Sequence, residues 1–381
     1  KPDYIVSRSS LSKIILKKKF KLLEKDKSYY YKNLKKNKCN LNNSKILIPT
    51  SGSSGEPKTV MLTEKGLLNN SKSIIKLLNI KSSHRPIIYM PTFYSYGMSI
   101  LNTHIKKNCS ILVTDKSFLQ KNFWDFLKKN KCTSFSGVPY TYEAIIKLQL
   151  YKIFNKELKY FTQAGGNLEV KKRKFLFKKI KKKNGKFNIM YGQTEASPRI
   201  TILNHKDFIQ NMNSVGKAIP GNKIYILDKN KSKVINKTGL IYNISKNNML
   251  GYAKDLNDLQ NKKKVIKELN THDFGKINSR GYLTVYGRND QEIKIRGHRI
   301  NLNDLKLSIN DIDVIILYIK NKIFIISENK IDNYQFFLKI KKKYNLNPQD
   351  FEFIKIKKIK YLPNNKIDIN YFKKKINEKY A

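Results

Sequence analysis

A run of small hydroxylated residues and glycines, Thr50-Ser51-Gly52-Ser53-Ser54-Gly55-Glu56-Pro57-Lys58, stands between an apolar stretch and a helix start. Such a loop carries almost no side-chain bulk. Its backbone N–H groups and hydroxyls can close around a phosphate, and Lys58 can add positive charge. No Lys-Ser or Lys-Thr pair follows the second glycine directly, so it is not a Walker loop. A flexible Ser/Gly linker has the same composition, but linkers rarely sit between a strand and a capped helix.

Four further runs carry residue types suited to chemistry. In Tyr191-Gly192-Gln193-Thr194-Glu195 a tyrosine can stack on a base, a threonine can bond a phosphate and a glutamate can hold Mg²⁺. Alone, the run is more often an ordinary polar loop. Asp273, in Thr271-His272-Asp273-Phe274-Gly275, offers a carboxylate able to bond both hydroxyls of a ribose, although an isolated Asp is more often a turn residue. The run Gly287 to Ile300 couples the guanidinium of Arg288 with Asp290 at a domain junction and with Gly297, a glycine that could pass a narrow ligand. A charged β-hairpin would look similar. Pro363-Asn364-Asn365-Lys366-Ile367-Asp368 places one lysine in a tight turn, unremarked among so many lysines without its neighbours.

The elements that must position these runs follow from hydrophobic spacing. Ile46-Leu47-Ile48 reads as a short buried strand ending at Pro49. Thr63 is a good N-cap for a helix carrying Leu67, Leu68, Ile74, Ile75 and Leu78, which predicts strand, loop, then helix. From Lys45 to Ile200, short apolar runs (Ile87 to Met90, Ser110 to Val113, Phe187 to Met190) separate helical segments such as Phe118 to Lys131 and Pro139 to Leu150. That alternation predicts a largely parallel sheet covered by helices, with ligands beyond the carboxyl ends of its strands. After about Asn213 a β-rich unit is expected, with strands at Lys223 to Leu227, Leu240 to Ile244 and Tyr282 to Tyr286. From Gln291 to Ala381 a mixed unit follows, with strands Val314 to Ile319 and Ile323 to Ile326 and an amphipathic helix around Asn333 to Tyr344. The stretch before Ser44 reads as basic and irregular, with Tyr29-Tyr30-Tyr31 as its one dense aromatic cluster.

The totals bound the function. The 381 residues can bury a large core and hold more than one domain, and 40% hydrophobic residues indicate a folded chain. No apolar run reaches membrane-spanning length and no signal peptide is visible. The three cysteines, Cys39, Cys109 and Cys132, have no metal-ligand spacing and suggest a reducing, cytoplasmic setting. The formal charge of +50 would suit a polyanion partner. However, the basic residues are spread along the chain, and Lys, Asn and Ile are all used heavily, as an A/T-rich genome would impose. Lys171-Lys172-Arg173-Lys174 and Lys178 to Lys183 fit the solvated face of one helix, with Phe175, Leu176 and Ile180 opposite. No specific nucleic-acid binding is expected.

Together and in this order, these runs resemble the adenylate-forming superfamily of acyl- and aryl-CoA synthetases, adenylation domains and luciferases, over roughly Lys45 to Ala381. The resemblance implies an α/β fold: a large N-terminal domain of α/β subdomains plus a β-barrel-like part (1–288), a hinge at 289–290, and a small mobile α+β lid domain (291–381). It implies a cytoplasmic ligase that joins a carboxylic acid to ATP, giving an acyl-adenylate and pyrophosphate. A thioester with coenzyme A or a carrier-protein phosphopantetheine would follow. Under it, Thr50, Ser51, Gly52, Ser53, Ser54, Gly55 and Lys58 would grip the phosphates, and Gly165 and Gly166, after Ala164, would line the adenine and acyl pocket. Tyr191 would stack on adenine, Thr194 would contact phosphate, and Glu195 would bind Mg²⁺. Asp273 and Arg288 would hold the ribose, Gly297 would line the path of the pantetheine thiol, and Lys366 would bridge the carboxylate and the α-phosphate.

Some positions depart from the family's pattern. Asn365 and His272 stand where Gly is usual, Asp304 stands near the place of a frequent Glu, and Tyr94 takes the place of an aromatic gate that is often His. The Asp that pairs with an α-amino group in amino-acid-activating domains is missing, which argues against an α-amino acid. The chain opens at Lys1 and is short upstream of Ser44, so the first subdomain is expected to be short or incomplete. The rival reading is a non-catalytic or polyanion-binding protein on the same fold. The presence of Glu195, Asp273, Arg288 and Lys366 together favours the ligase.

Overall fold

In the computed structural model, the described residues are 4–7, 20–25, 29–33, 46–51, 57–253, 258, 263–288, 292–295, 298–302, 305, 314–319, 321–329, 337, 346–362 and 367–379. The centre is a five-stranded sheet in the order Lys217–Ala218, Thr201–Leu203, Lys186–Tyr191, Tyr160–Gln163, Ser134–Gly137. Its last three strands run parallel, and the first two are antiparallel additions. A parallel bridge from Pro86 to Ser134 links this sheet to the short parallel pair Ile87–Ile88 and Leu112–Val113.

The two faces of the parallel strands differ in chemistry. On one face Phe135, Phe161, Phe187 and Ile189 are fully buried. They pack with Phe123, Trp124 and Leu127 of α3 (Lys121–Lys129), Tyr142 and Ile145 of α4 (Pro139–Lys147), and Leu176, Phe177 and Ile180 of α5 (Val170–Lys181). Tilted and edge-on ring pairs fill this layer: Phe123 meets Trp124 at 5.3 Å and Tyr142 meets Phe187 at 5.3 Å. On the other face lie Ser134, Ser136, Thr162 and Asn188, all buried. That face looks toward α1 (Glu64–Leu78) and α2 (Ser95–Ile105).

Helix α1 begins as its sequence requires. Thr63 is extended, and its hydroxyl accepts from the Gly66 N–H at 3.0 Å. It ends at Asn79 in the left-handed conformation, φ 51°. Leu67 and Ile74 are buried, whereas Leu68 is exposed.

Several expectations are corrected. The Ile46 strand does not stop at Pro49: it runs Ile46–Ser51 and pairs antiparallel with a second strand, Pro57–Leu62, before the helix. The two ends of the phosphate-loop candidate, Thr50-Ser51 and Pro57-Lys58, therefore lie on paired strands, and Leu47 is exposed rather than in the core. Arg173 is not on a solvated face; it is buried, and its guanidinium donates to Asn167 Oδ1 at 2.7 Å and to the Ser214 carbonyl at 3.3 Å. Part of the N-terminal stretch is regular: Tyr4–Ser7, Phe20–Lys25 and Tyr29–Asn33 form a three-stranded antiparallel sheet, with the tyrosine cluster on its central strand.

The β-rich unit is a five-stranded antiparallel sheet, ordered Lys233–Val234, Asn222–Leu227, Thr238–Ser245, Glu268–Ile277, Leu283–Arg288. Among the described residues it does not close into a barrel. Beyond it, Val314–Ile319, Lys322–Ser327 and Phe351–Lys355 form a three-stranded mixed sheet. The helix Ile369–Lys379 adds Phe372 and Ile376 to a separate apolar cluster there. The helix expected around Asn333 to Tyr344 lies outside the described residues, apart from the helical Phe337. Among the described residues, no helix is long and apolar enough to cross a membrane.

Asn70 joins the layers. It is fully buried in α1; its Nδ2 donates to the Arg199 carbonyl at 2.8 Å, and its Oδ1 accepts from the Arg199 N–H at 3.3 Å. Asn70→Ala should strand the Arg199 N–H, leave its carbonyl to Asn222 Nδ2 alone, and lower the free energy of unfolding by about 1–3 kcal/mol, read from urea midpoints at unchanged slope.

Candidate functional site

The candidates Gly165, Gly166, Tyr191, Thr194 and Glu195 lie at the carboxyl ends of the parallel strands, where the chain leaves the sheet and backbone groups are free to meet a ligand. Tyr191 ends its strand, and the segment Gly192 to Ile200 folds back beneath it. Gly192 is obligatory: a Cβ there would collide with the carbonyl of Pro198. Thr194 and Glu195 lie on one turn of 3₁₀ helix at the crest of this segment.

Three contacts pin that turn. The Thr194 hydroxyl donates to Ser95 Oγ at 3.0 Å, tying it to the start of α2. The Met249 N–H donates to the Glu195 carbonyl at 2.8 Å. The Tyr252 hydroxyl donates to Glu195 Oε1 at 2.9 Å. Tyr252 sits on the strand Gly251–Ala253, which pairs with the Pro57–Leu62 arm of the hairpin. Lys58 Nζ lies 5.3 Å from the Tyr252 ring, within cation–π range. Thr50 and Lys58 face each other across the hairpin, with Thr50 Oγ1 donating to the Lys58 carbonyl at 3.1 Å. One tyrosine thus joins the phosphate-loop candidate to the metal-binding candidate.

On the other side, the Tyr191 hydroxyl donates to Asp273 Oδ2 at 2.6 Å. Asp273 is buried and paired in register with Arg288 on the neighbouring strand. The preceding His272 has φ 58°, a left-handed conformation that explains why glycine suits that position. Gly165, φ 81°, opens the loop after Tyr160–Gln163, and the Gln163 side-chain amide donates to the Gly166 carbonyl at 3.0 Å. Tyr94 caps the start of α2 with its ring 4.4 Å from Phe93, and burial raises its hydroxyl pKa.

Thr50, Lys58, Gly165, Gly166, Tyr191, Thr194, Glu195 and Asp273 are therefore placed with their neighbours. Ser51 and Arg288 are placed by backbone alone. Gly52, Ser53, Ser54, Gly55, Asp290, Gly297, Asp304, Asn365 and Lys366 lie outside the described residues. The residues flanking Lys366 are informative: Tyr361 and Ile367 are bridged antiparallel. The Tyr361 ring packs 4.3 Å from that of Tyr140 in the first turn of α4. Sequence reasoning missed Asn70, Tyr252 and Arg199; nothing in their local sequence marks them.

Among the described residues, no three His, Cys, Asp or Glu side chains form a metal cage. Mg²⁺ is commonly held by one or two carboxylates plus substrate phosphates, and Glu195 beside a phosphate loop fits that donor set. A surface cleft of about 430 Å³ near Asn211, Lys276 and Arg280 contains none of the sequence-predicted site residues.

An α/β core that gathers a pair of strands flanking a glycine- and serine-rich run, a carboxylate turn and a buried aspartate at one end has the arrangement of a nucleotide-binding α/β scaffold. The sequence matches the AMP-binding enzyme family over residues 5–253, and the chain belongs to that family. It is 28% identical over 256 residues to the acyl-CoA ligase sidI of Aspergillus fumigatus, covering 65% of this chain and 43% of the relative. It is 27% identical over 277 residues to the oxalate–CoA ligase of Saccharomyces cerevisiae, covering 70% and 49%. The chain thus spans about half the length of these curated relatives or less. Among solved structures, the o-succinylbenzoate coenzyme A synthetase of Bacillus subtilis in complex with AMP superposes with TM-score 0.71 at 17% identity, over 93% of this chain and 72% of that one. The McyG A-PCP complexed with phenylalanyl-adenylate gives 0.68 at 19%, over 88% and 58%. At that identity the likeness establishes the fold.

Below the site, His84 is buried with Nε2 unbonded, its ring 4.0 Å from Tyr160. Burial, aided by His104, Lys81 and Lys186, pulls its pKa from 6.5 to about 4. The unfolded chain therefore binds more protons below pH 6.5. The contribution is complete above that pH and is lost as pH falls toward 4. Burial lowers His104 and His205 in the same direction. Unfolding free energy should drop by about 1–2 kcal/mol from His84 alone between pH 7 and 5. His84→Gln should flatten that slope in chemical denaturation at the two pH values.

Proposed function

We propose that this protein activates a carboxylic acid with ATP. A carboxylate oxygen bonds to the α-phosphorus, the bond from that phosphorus to the bridging oxygen of the β-phosphate breaks, and pyrophosphate leaves with the electron pair. The acyl group then passes to a thiol, that of coenzyme A or of a carrier-protein phosphopantetheine, and AMP is released. The observation that carries this reading is the linkage of Lys58, Tyr252 and Glu195 on one side of the strand ends with Tyr191 and Asp273 on the other.

In this reading residues 51–55 and Lys58 hold the outgoing phosphates. Thr194 donates to a phosphate, and Glu195 would hold Mg²⁺, which supplies charge neutralisation at the phosphates. Tyr191 presents its ring to adenine, and Asp273 with Arg288 takes the ribose hydroxyls. Lys366 stabilises negative charge gathering on the α-phosphate. The chain divides at 289–290 into a nucleotide-binding part (1–288) and a lid (291–381). Packing of Tyr361 on Tyr140 supports a lid orientation in which the Lys366 turn serves this site. Gly297 would serve a second orientation for thioester formation, so the lid rotates between steps. Cys109 and Cys132, both unbridged, suit a cytoplasmic setting.

Acid-dependent, Mg²⁺-requiring ATP–pyrophosphate exchange should be measurable across a panel of carboxylic acids; no exchange with any acid would overturn the reading. Lys366→Ala should slow exchange by ~10²–10³ while sparing thioester formation from preformed acyl-adenylate, and equal loss of both steps would count against that role. Asp273→Ala should raise the apparent Kd for ATP at least ~10-fold, and Tyr191→Phe, which keeps the ring, should raise it much less. Both are read by equilibrium binding.

A further inference from the structure

Arg199 lies four residues past Glu195 and is 4% exposed. Burial lowers its pKa to about 10, so the guanidinium stays protonated at neutral pH. Its backbone is fully engaged by Asn70 and Asn222, but its charge is poorly met. One Nη donates to Ser99 Oγ at 3.1 Å, and the guanidinium carbon lies 4.3 Å from the Tyr96 ring centroid. Nε has no partner, and no carboxylate among the described residues forms an ion pair with it. The other buried arginine, Arg173, shares the unbonded Nε and has no carboxylate partner among the described residues, but oxygens of Asn167, Met212 and Ser214 accept from its Nη atoms, where Arg199 has Ser99 alone. A buried cation without an anion is costly, which is why such groups are normally paired.

Arg199 lines a cavity of about 40 Å³ between α2 and the polar face of the sheet. The walls mix aliphatic side chains, Ile74 and Leu78 of α1, Ile100 of α2 and Met190, with the polar Ser99, Ser136, Thr162 and Asn188 and the ring of Tyr96. Ser136, Thr162 and Met190 each sit one position before the strand ends that carry the site, so the cavity lies directly beneath it. Its polar groups are chained: Tyr96 Oη to Thr162 Oγ1 at 2.9 Å, and Thr162 Oγ1 to Ser136 Oγ at 2.8 Å. Met190 joins an apolar cluster with Ile74 and Ile100, yet Ser136, Thr162 and Asn188 are buried beside it, where the opposite face buries Phe135, Phe161 and Phe187 at the neighbouring positions. The volume holds a few water molecules' worth of ligand, which favours a short acid over a long acyl chain.

We propose that Arg199 is the counter-ion for a second anionic group on the substrate, so that the acid activated here is a short aliphatic dicarboxylate. One carboxylate reacts at the nucleotide while the other enters the cavity against Arg199, with Ser99 and Tyr96 holding the guanidinium in place. This rests on the acid-activating reading of the same site, and the test separates the two.

Exchange would be measured with malonate, succinate and glutarate, with the monoacids of equal chain length, and with the methyl hemiesters. Binding of the same ligands would be measured by calorimetry without turnover. The full chain should favour at least one diacid over its hemiester by about 100-fold or more in kcat/KM. Arg199→Leu should lose that preference, chiefly through KM, while keeping or gaining monoacid exchange, and Arg199→Lys should restore part of it. Hemiesters or monoacids used as well as diacids would overturn the proposal. So would equal loss of all acids in a folded Arg199→Leu protein. If that variant does not fold, the wild-type ratio of diacid to hemiester decides. If no acid supports exchange, the ligase reading falls, and calorimetry decides the anion site separately: absence of diacid binding overturns it.

Discussion

The segment from Tyr191 to Ile200 must leave a parallel sheet, turn sharply and run back without a regular partner of its own. Buried backbone groups in such a segment have to be satisfied from elsewhere. Asn70 does this from α1, holding both the N–H and the carbonyl of Arg199. Ser95 holds Thr194 from α2, and the Met249 N–H holds Glu195 from the β-rich part. Each anchor comes from a different element, so the position of Thr194 and Glu195 is a consequence of how all three pack. Loss of any layer would displace the turn that carries Thr194 and Glu195.

The aromatic layer supplies the stiffness behind this arrangement. Phe123, Phe135, Phe161 and Phe187 are essentially inaccessible, and α3, α4 and α5 close over them. The opposite face of the same strands is lined with Ser, Thr and Asn at buried positions. Period-two alternation on strands of the parallel type, which usually read as continuous apolar runs, marks a face that is kept polar inside the molecule. The cost of that polarity falls on stability, and the proposed substrate pocket on that face gives a reason for it.

Among the described residues the large positive charge has no comparable organisation. Lys172 pairs with Glu143 at 3.1 Å and Lys322 with Glu352 at 2.9 Å, both partly exposed. Pairs of this kind add little to stability. Lysine Nζ groups also lie over tyrosine and phenylalanine rings, as with Lys360 and Tyr371 at 4.2 Å. This fits lysine stems covering apolar surface while their charges stay in water.

The sequence by itself determined what depends on near neighbours. The Thr63 cap, the strand–helix alternation from Ile87 to Tyr191, the exact span Val314 to Ile319 and the small-residue runs all follow from local spacing. The order of those runs carried the family, and most of the placed candidates stand together at the strand ends. Boundaries failed where pairing decided them: the Pro57–Leu62 strand exists because it has Ile46–Ser51 beside it, and Arg173 is buried because oxygens far along the chain receive it. Tertiary structure alone decided the pairs that span long separations: Tyr191 with Asp273, Glu195 with Tyr252, and Arg199 with Ser99. No period or motif encodes such contacts. They arise when separate elements close on one another, and burial then sets which polar groups are satisfied and which are left for a ligand.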